Sequence, residues 1–415
     1  MQHTRCRLSG KELTQVIDLG NLYISNFFKK PDLNAPRAPL RIGIGAESGL
    51  LQLMDSVDRL PLYQQYWYRS GTNDTMTRQL SDVTTSLRAW IRLRPGDIIC
   101  DIGCNDGTLL QQFPSDLKLF RIGIDPAENL ADQARQHCEA HAADFFTKER
   151  FMYLSGGRKA RVITSIAMFY GLEDPKSFVS DITECLDDTG IWVLQLSYTP
   201  LMINQNAFDN ICHEHIEYYT LISLKYLLDQ FDLEILDVEF NDTNSGSFRV
   251  IICKKDCGGK DATLFLRDIG RYRVQSTLTF EKKQQYDKPH VYQDYMGRLN
   301  KLKKETVDLL SSLVDKGKKV IGYGASTKGN TLLQYYGITP DLMEAIAERQ
   351  PQKFGLFTAG TWIPIISEEE MRRRKPDYLF VMPWHFMTEF LDRERAFLQN
   401  GGKFIVPLPA LQIIS

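Results

Sequence analysis

The sequence contains no C-x-x-C pair. Its eight cysteines, at positions 6, 100, 104, 138, 185, 212, 253 and 257, are scattered, which excludes a disulfide framework or a closed zinc site built on such pairs. No run of about 18 uninterrupted apolar residues occurs, and the opening MQHTRCRLSGKELTQ lacks the apolar core of a signal peptide. No membrane span is expected, and the expected location is cytoplasmic. An excess of charge of either sign is missing as well. Fifty Lys+Arg against 52 Asp+Glu leave a formal net charge of -2, which excludes a nucleic-acid binder working through bulk positive charge. Short-period repeats and low-complexity segments are absent too. What remains is a globular chain of 415 residues, long enough for roughly three domains.

Residues 1–78 read as a small irregular module of short strands and turns, broken by Pro31, Pro36, Pro39 and Pro61 and ending in the aromatic run Tyr63, Tyr66, Trp67 and Tyr68. From 79 the pattern changes. Leu80, Val83, Leu87, Trp90 and Ile91 recur at helical spacing, and Pro95-Gly96 ends that helix. The apolar runs IICDIG, FRIGID, RVITSIAMF and GIWVLQLSY, separated by helical stretches, predict a mostly parallel sheet over 79–258. LEILDVEF and SFRVIICK, joined by the turn-rich NDTNSGS, predict an antiparallel hairpin at its edge. A helical connection is expected over 259–304. A second α/β domain over 305–415 is read from KKVIGYGASTKGNTLLQYYG, DYLFVMPW and KFIVPL. The fold class is α/β: a Rossmann-like core, a C-terminal Rossmann-like α/β domain and the small N-terminal module.

The strongest chemical signal is IICDIGCNDGTLLQQF. A strand ends at Asp101, Gly103 and Gly107 permit a tight turn through Asn105 and Asp106, and a helix starts near Thr108. Small residues let the backbone approach a nucleoside, and the helix N-terminus offers N–H groups. The spacing is not the dinucleotide G-x-G-x-x-G. Asp125, ending RIGID, is suited to accept both hydroxyl hydrogens of a ribose. Asp144 is expected at the end of the third strand, where it can receive an adenine amino group, with Phe145 beside it to pack on the base.

DIGCNDGTLL followed by GIDPAENLADQA resembles a class I S-adenosylmethionine-dependent methyltransferase. FDNICHEHIEYYT, the SGSFR hairpin, GYGASTKGNTLLQYYG, SGLLQL and YWYRSG narrow the resemblance to the sugar C-methyltransferases, over nearly the whole chain. That resemblance implies a zinc module, a methyltransferase core and a C-terminal α/β domain. It also implies S-adenosylmethionine as cofactor and a nucleotide-diphosphate keto-deoxysugar as substrate, in unusual-sugar or surface-polysaccharide biosynthesis. It makes His215 the catalytic base and Glu214 a carboxylate that orients it or contacts the sugar. Independently, abstraction of a proton beside a ketone needs a base whose pKa lies near working pH, and histidine supplies one. His-Glu-His is not the i, i+4 spacing of a zinc helix, so no metal is expected.

Two departures from the family stand out. Cys212 occupies the place where these enzymes often carry a tyrosine, and a thiol is a weaker donor for an enolate oxygen. Tyr218, Tyr219 or the aromatic run are the candidates to replace it. The zinc ligands align with Cys6, Ser9, Gly45 and Ser48, and one thiolate cannot build the site. Of the module's residues, Tyr66, Tyr68 and Arg69 are candidate substrate contacts. At the C-terminal turn, Gly324, Ser326, Thr327, Lys328 and Asn330 are read as a diphosphate cradle, and Arg249 as a further charge for the substrate. The alternatives are a sugar O-methyltransferase, with His215 deprotonating a hydroxyl, and a non-catalytic module that binds S-adenosylmethionine or a nucleotide sugar. A nicotinamide-dependent dehydrogenase ranks last.

Overall fold

A computed structural model describes residues 1–58, 68–72, 74–243, 246–257 and 260–415. Pro61, Tyr63, Tyr66 and Trp67, and Ser245 of the SGSFR segment, lie outside the described residues.

The N-terminal segment is more regular than its sequence suggests. β1 (Leu13–Tyr23) pairs antiparallel with β3 (Arg37–Gly45), which pairs with β4 (Leu51–Leu53), while β2 (Phe27–Phe28) lies apart. Irregularities between Gln15 and Ile17 and between Asp18 and Asn21 break the alternation of β1. A two-residue apolar period is therefore hard to read there.

The central sheet grows from the predicted runs: β5 (Ile98–Ile102), β6 (Phe120–Ile124), β7 (Ala140–Ala142), β8 (Ala160–Ile166) and β9 (Leu186–Ser197). After β10 (Glu217–Tyr218) come β11 (Leu233–Asn241) and β12 (Ser247–Lys254), and the order is β11-β12-β9-β8-β5-β6-β7. β5 to β9 run parallel, and the β11/β12 hairpin closes one edge antiparallel. β5 is buried along its whole length, as a strand with covered faces must be. The helix Asp74–Trp90 buries Leu80, Val83, Leu87 and Trp90 of its predicted apolar face. The chain starts at β5, moves out through β6 and β7, and returns to β8. The carboxyl ends of β5 and β8 therefore border a crevice where the connections diverge.

Two helices, Leu264–Lys283 and Pro289–Asp315, form the connection, the second running past the expected limit at 304. The C-terminal sheet follows with β13 (Val320–Tyr323), β14 (Ile346–Glu348), β16 (Ile365–Ser367), β17 (Tyr378–Val381), β18 (Lys403–Val406) and β19 (Gln412–Ile414), in the order β16-β14-β13-β17-β18-β19. Here the chain moves out from β13 and returns at β17, which makes a second switch point. β15 (Phe357–Thr358) pairs with β2, so the C-terminal part reaches back to the N-terminal one.

One apolar cluster unites these parts. It runs from Ile42 and Leu53 through Ile216 and Tyr295 to Leu332 and Phe380. β10 joins the N-terminal sheet beside β4, and Ile216 O accepts from Leu53 N at 2.8 Å. The His-Glu-His segment is thus anchored to the N-terminal sheet. At the positions aligned with zinc ligands, the Cys6 thiol meets the Ser48 hydroxyl at 3.1 Å. A Cβ at Gly45 would fall 2.7 Å from Cys6 Sγ. Among the described residues no cluster of three His, Cys, Asp or Glu side chains could hold a metal, and no helix is long and apolar enough to cross a membrane.

Candidate active site

The two switch points open into one cavity of about 340 Å³. One wall is the β5 turn and the end of β8, including Asp101, Gly103, Asn105 and Met168. The facing wall is the C-terminal turn Ser326, Thr327 and Lys328 with Pro383, His385 and Phe386 after β17. Asp209, Cys212, Glu214 and His215 lie between them.

On the first wall, Asp101 is buried and accepts from Thr164 Oγ1 at 2.6 Å; burial pushes its pKa up to about 7. Asp125 accepts from Asn105 N and Ala127 N, both at 2.8 Å, and burial raises it too. These bonds fix a carboxylate at the strand end while leaving each oxygen a second lone pair. Leu109, Pro126, Phe145, Phe146 and Leu172 supply apolar surface for a base. Asp144 lines the cavity but pairs with Arg150. Tyr68 lines the opening, and its carbonyl accepts from Asn105 Nδ2 at 3.1 Å.

Asp106 and Gly107 do other work. Asp106 turns away from the cavity to accept from Gly71 N at 2.8 Å and Thr108 Oγ1 at 2.6 Å. Gly107 has φ 81 at the start of the helix Thr108–Gln111, and a Cβ there would meet Ala134 Cα at 3.1 Å. Its smallness serves the turn and the packing behind it.

The His-Glu-His segment separates its three side chains. His213 is buried, with Nε2 3.1 Å from the Ala38 carbonyl. His215 has Nδ1 2.8 Å from the Asn210 carbonyl, a geometry that puts the ring proton on Nδ1 and leaves the lone pair on Nε2. Burial first, and the Lys328 charge second, push the His215 pKa down to about 3. This corrects the premise that the imidazole titrates near working pH. The Asn210 backbone carbonyl orients His215 at Nδ1, so of the two roles expected of Glu214, orienting the ring or contacting the sugar, the first is served there by the backbone. Glu214 keeps some access to the cavity, yet the protein encloses it, and that desolvation pushes its carboxyl up to about 7 against the opposing pull of Lys328. Burial likewise holds the Cys212 thiol near 12.

Lys328 enters from the C-terminal part. Its Nζ donates to Asn210 Oδ1 at 2.6 Å, so one residue holds the imidazole by its carbonyl and the ammonium by its side chain. Ser326 and Thr327 line the cavity with it. Asn330 instead donates to Asn26 O at 3.1 Å and is fully buried, tying the helix Thr327–Tyr336 to the N-terminal segment. Gly324, at φ 84, is required by proximity: a Cβ there would fall 2.5 Å from Pro383 Cγ.

Arg249 is not brought to the cavity. It is buried on β12, bonded to Gln195, Glu239 and Asp82, and its guanidinium is spent inside the sheet edge. Tyr218 also stays behind the cavity wall; it lines a separate small pocket with Thr199 and His215. Tyr219 is bonded to Glu217. Sequence reasoning missed Tyr170, Asp209, His385 and Phe386. Only Asp209 and His385 carried a signal, as polar residues beside a motif and after a strand end.

Family models match in two places: a methyltransferase domain over residues 73–238 and a C-methyltransferase C-terminal domain over 242–409. The chain is an S-adenosylmethionine-dependent methyltransferase that carries a C-methyltransferase C-terminal domain. C-methyltransferase NovU from Streptomyces niveus is 27% identical over 384 residues, spanning 91% of this chain and 88% of that one. Among solved structures, magnesium protoporphyrin IX methyltransferase ChlM from Synechocystis PCC 6803 is 14% identical with a TM-score of 0.36, covering 48% of this chain and 99% of that one. A methyltransferase from Clostridium acetobutylicum ATCC 824 is 14% identical with a TM-score of 0.33, covering 43% and 92%. S-adenosylmethionine is the cofactor of this methyltransferase. The first wall suits it, with a buried strand-end carboxylate for the ribose, apolar side chains for the base, and no Cβ at Gly103 to fill the turn.

Proposed function

We propose that the protein methylates a carbon beside the ketone of a nucleotide-diphosphate-linked keto-deoxysugar, in unusual-sugar or surface-polysaccharide biosynthesis. The observation that carries this reading is the shared cavity. Strand-end acids suited to a nucleoside face a half-enclosed carboxyl of raised pKa, a neutral imidazole and an ammonium. That set suits removal of a proton from carbon followed by protection of the resulting enolate. The sugar-nucleotide handle rests on the resemblance of the SGLLQL, His-Glu-His and GYGASTKGN segments.

In this reading the pair Glu214 and His215 takes the α-proton, and Glu214 carries the basicity. A carboxyl near pH 7 can hold a proton that an imidazole near 3 returns. The C–H pair becomes the carbon–carbon double bond of an enolate, while the carbonyl pair moves onto oxygen. His215, neutral with Nε2 bare, offers the adjoining acceptor. Met168, Tyr170 and Phe386 help exclude water from the carbanionic carbon. The bound cofactor supplies an electrophilic sulfonium methyl.

The reading is tested with S-adenosylmethionine labelled in its methyl group and thymidine-diphosphate-4-keto-6-deoxyglucose as acceptor. A carbon-bound label that survives ether cleavage, together with loss of the α-proton to solvent, is the expected result. Label recovered on oxygen, or no transfer to any nucleotide-linked keto-sugar in a panel, overturns it.

A further inference from the structure

Removing an α-proton puts a full negative charge on the former ketone oxygen inside an enclosed cavity, where an uncompensated charge is costly. The cavity is rich in acids: Asp101, Asp125, Asp144, Asp209 and Glu214 line it. Among the described residues that line it, Lys328 is the one lysine or arginine. Burial lowers the pKa of this lysine, while the neighbouring Asp209, Cys212 and Glu214 oppose that shift and favour the ammonium; as the ammonium it has three donors, and Asn210 Oδ1 takes one at 2.6 Å. The same Asn210 fixes the His215 ring through its carbonyl, which couples the position of the cation to that of the base pair.

Several polar groups of the neighbouring turn are already engaged within the chain. Glu348 Oε2 accepts from Ala325 N at 3.0 Å, so one backbone N–H of the turn already serves a carboxylate of the chain itself. The Ala325 carbonyl in turn accepts from Lys353 at 2.8 Å. Gly329 N donates to Ser326 Oγ at 3.0 Å and Asn330 N to Ser326 O. A dianion set against Asp209 and Glu214 would meet like charge, whereas a single developing oxyanion needs one ammonium. Cys212, the neighbouring candidate donor, is a neutral thiol.

We propose that Lys328 is a catalytic residue whose ammonium holds the ketone oxygen of the substrate as it becomes an enolate oxygen, so that the C-terminal α/β segment supplies the oxyanion site for a proton abstracted at Glu214 and His215. The step breaks the α C–H bond and moves the carbonyl pair onto oxygen; Lys328 contributes a charged hydrogen bond and forms no bond from nitrogen to carbon. The inference rests on the reading under Proposed function. It extends it by exchanging a phosphate contact at Lys328 for one to the reacting ketone.

The test is exchange of the α-proton of thymidine-diphosphate-4-keto-6-deoxyglucose in D2O, with S-adenosylhomocysteine bound, followed by NMR. Lys328→Met is expected to slow exchange about 100-fold or more, with S-adenosylhomocysteine affinity unchanged and no recovery at high pH. Lys328→Arg is expected to restore part of the rate. If Lys328→Met does not fold, Lys328→Gln, which retains a donor for Asn210, gives the same readout. Wild-type exchange that Lys328→Met leaves intact overturns the proposal alone. So does full recovery of the variant at high pH, which would mean that Lys328 acts only by tuning Glu214. A borohydride-trapped adduct on Lys328 also overturns it, because the nitrogen would then bond to carbon. Absence of exchange in the wild-type chain overturns the reading of the function and this proposal with it.

Discussion

The imidazole of His215 packs against the phenol ring of Tyr170, with centroids 4.2 Å apart and planes at 59°. Tyr170 follows β8, and its carbonyl accepts from Ile216 N at 2.9 Å. One backbone bond and one ring contact thus join the β8 connection to the His-Glu-His segment. Replacing Tyr170 by Ala frees the ring on one side while leaving the Asn210 carbonyl in place. Turnover is expected to fall about ten- to a hundredfold through lost positioning, with little change in S-adenosylmethionine affinity by calorimetry.

With Glu214 as the proposed base, its ionisation sets the acid side of the pH profile. Its carboxyl, pushed up to about 7 by burial, must be ionised to accept a proton, so kcat/KM should rise as pH increases through about 7 and level off above it. Glu214→Gln should remove that limb together with most of the activity. If Glu214→Gln keeps the limb while His215→Asn loses α-proton exchange, the basicity belongs to His215.

Asp125 is held at the end of β6 by two backbone N–H groups before any ligand arrives. Asp125→Ala removes the proposed ribose acceptor and orphans Asn105 N and Ala127 N. We expect S-adenosylmethionine to bind about 1.5–3 kcal/mol more weakly by calorimetry. A change of less than twofold would place the ribose elsewhere.

Arg249 separates a structural role from a substrate contact. Its guanidinium is buried, but Asp82 and Glu239 are partly solvated, so the full cost of breaking a buried pair does not apply. Arg249→Ala should destabilise the fold by about 1–3 kcal/mol, visible in thermal unfolding, with KM for the sugar nucleotide unchanged.

Glu281 makes the strongest stability prediction. It is fully buried and accepts from Tyr198 OH at 2.7 Å, Leu221 N at 2.7 Å and Ile222 N at 2.8 Å, so it caps the helix Leu221–Leu228 from the helix Leu264–Lys283. Glu281→Ala leaves all three donors without that acceptor and should cost about 3 kcal/mol or more in denaturant unfolding.

Much of the fold is legible locally. IICDIGCNDGTLL states strand, turn and helix in contiguous residues, and the apolar runs of β6, β8, β9, β13, β17 and β18 appear because strands covered on both faces leave little room for polar residues. β1 and β3 were less readable because the irregularities in β1 shift the alternation on which a strand is recognised. Asp101, Asp125, Glu214 and His215 could all be singled out by residue type, strand end and spacing.

The sequence by itself determined the strand, turn and helix that carry Asp101 and the strand that ends beside Asp125, since those depend on neighbours along the chain. Tertiary structure alone decided that Lys328 lies against Asn210, 118 positions earlier, that Arg249 is consumed inside the sheet edge, and that Glu214 rather than His215 titrates near neutrality. The physical reason is that a pKa, an ion pair and a shared cavity depend on distance and desolvation. Both are fixed only when the two switch points close on one another.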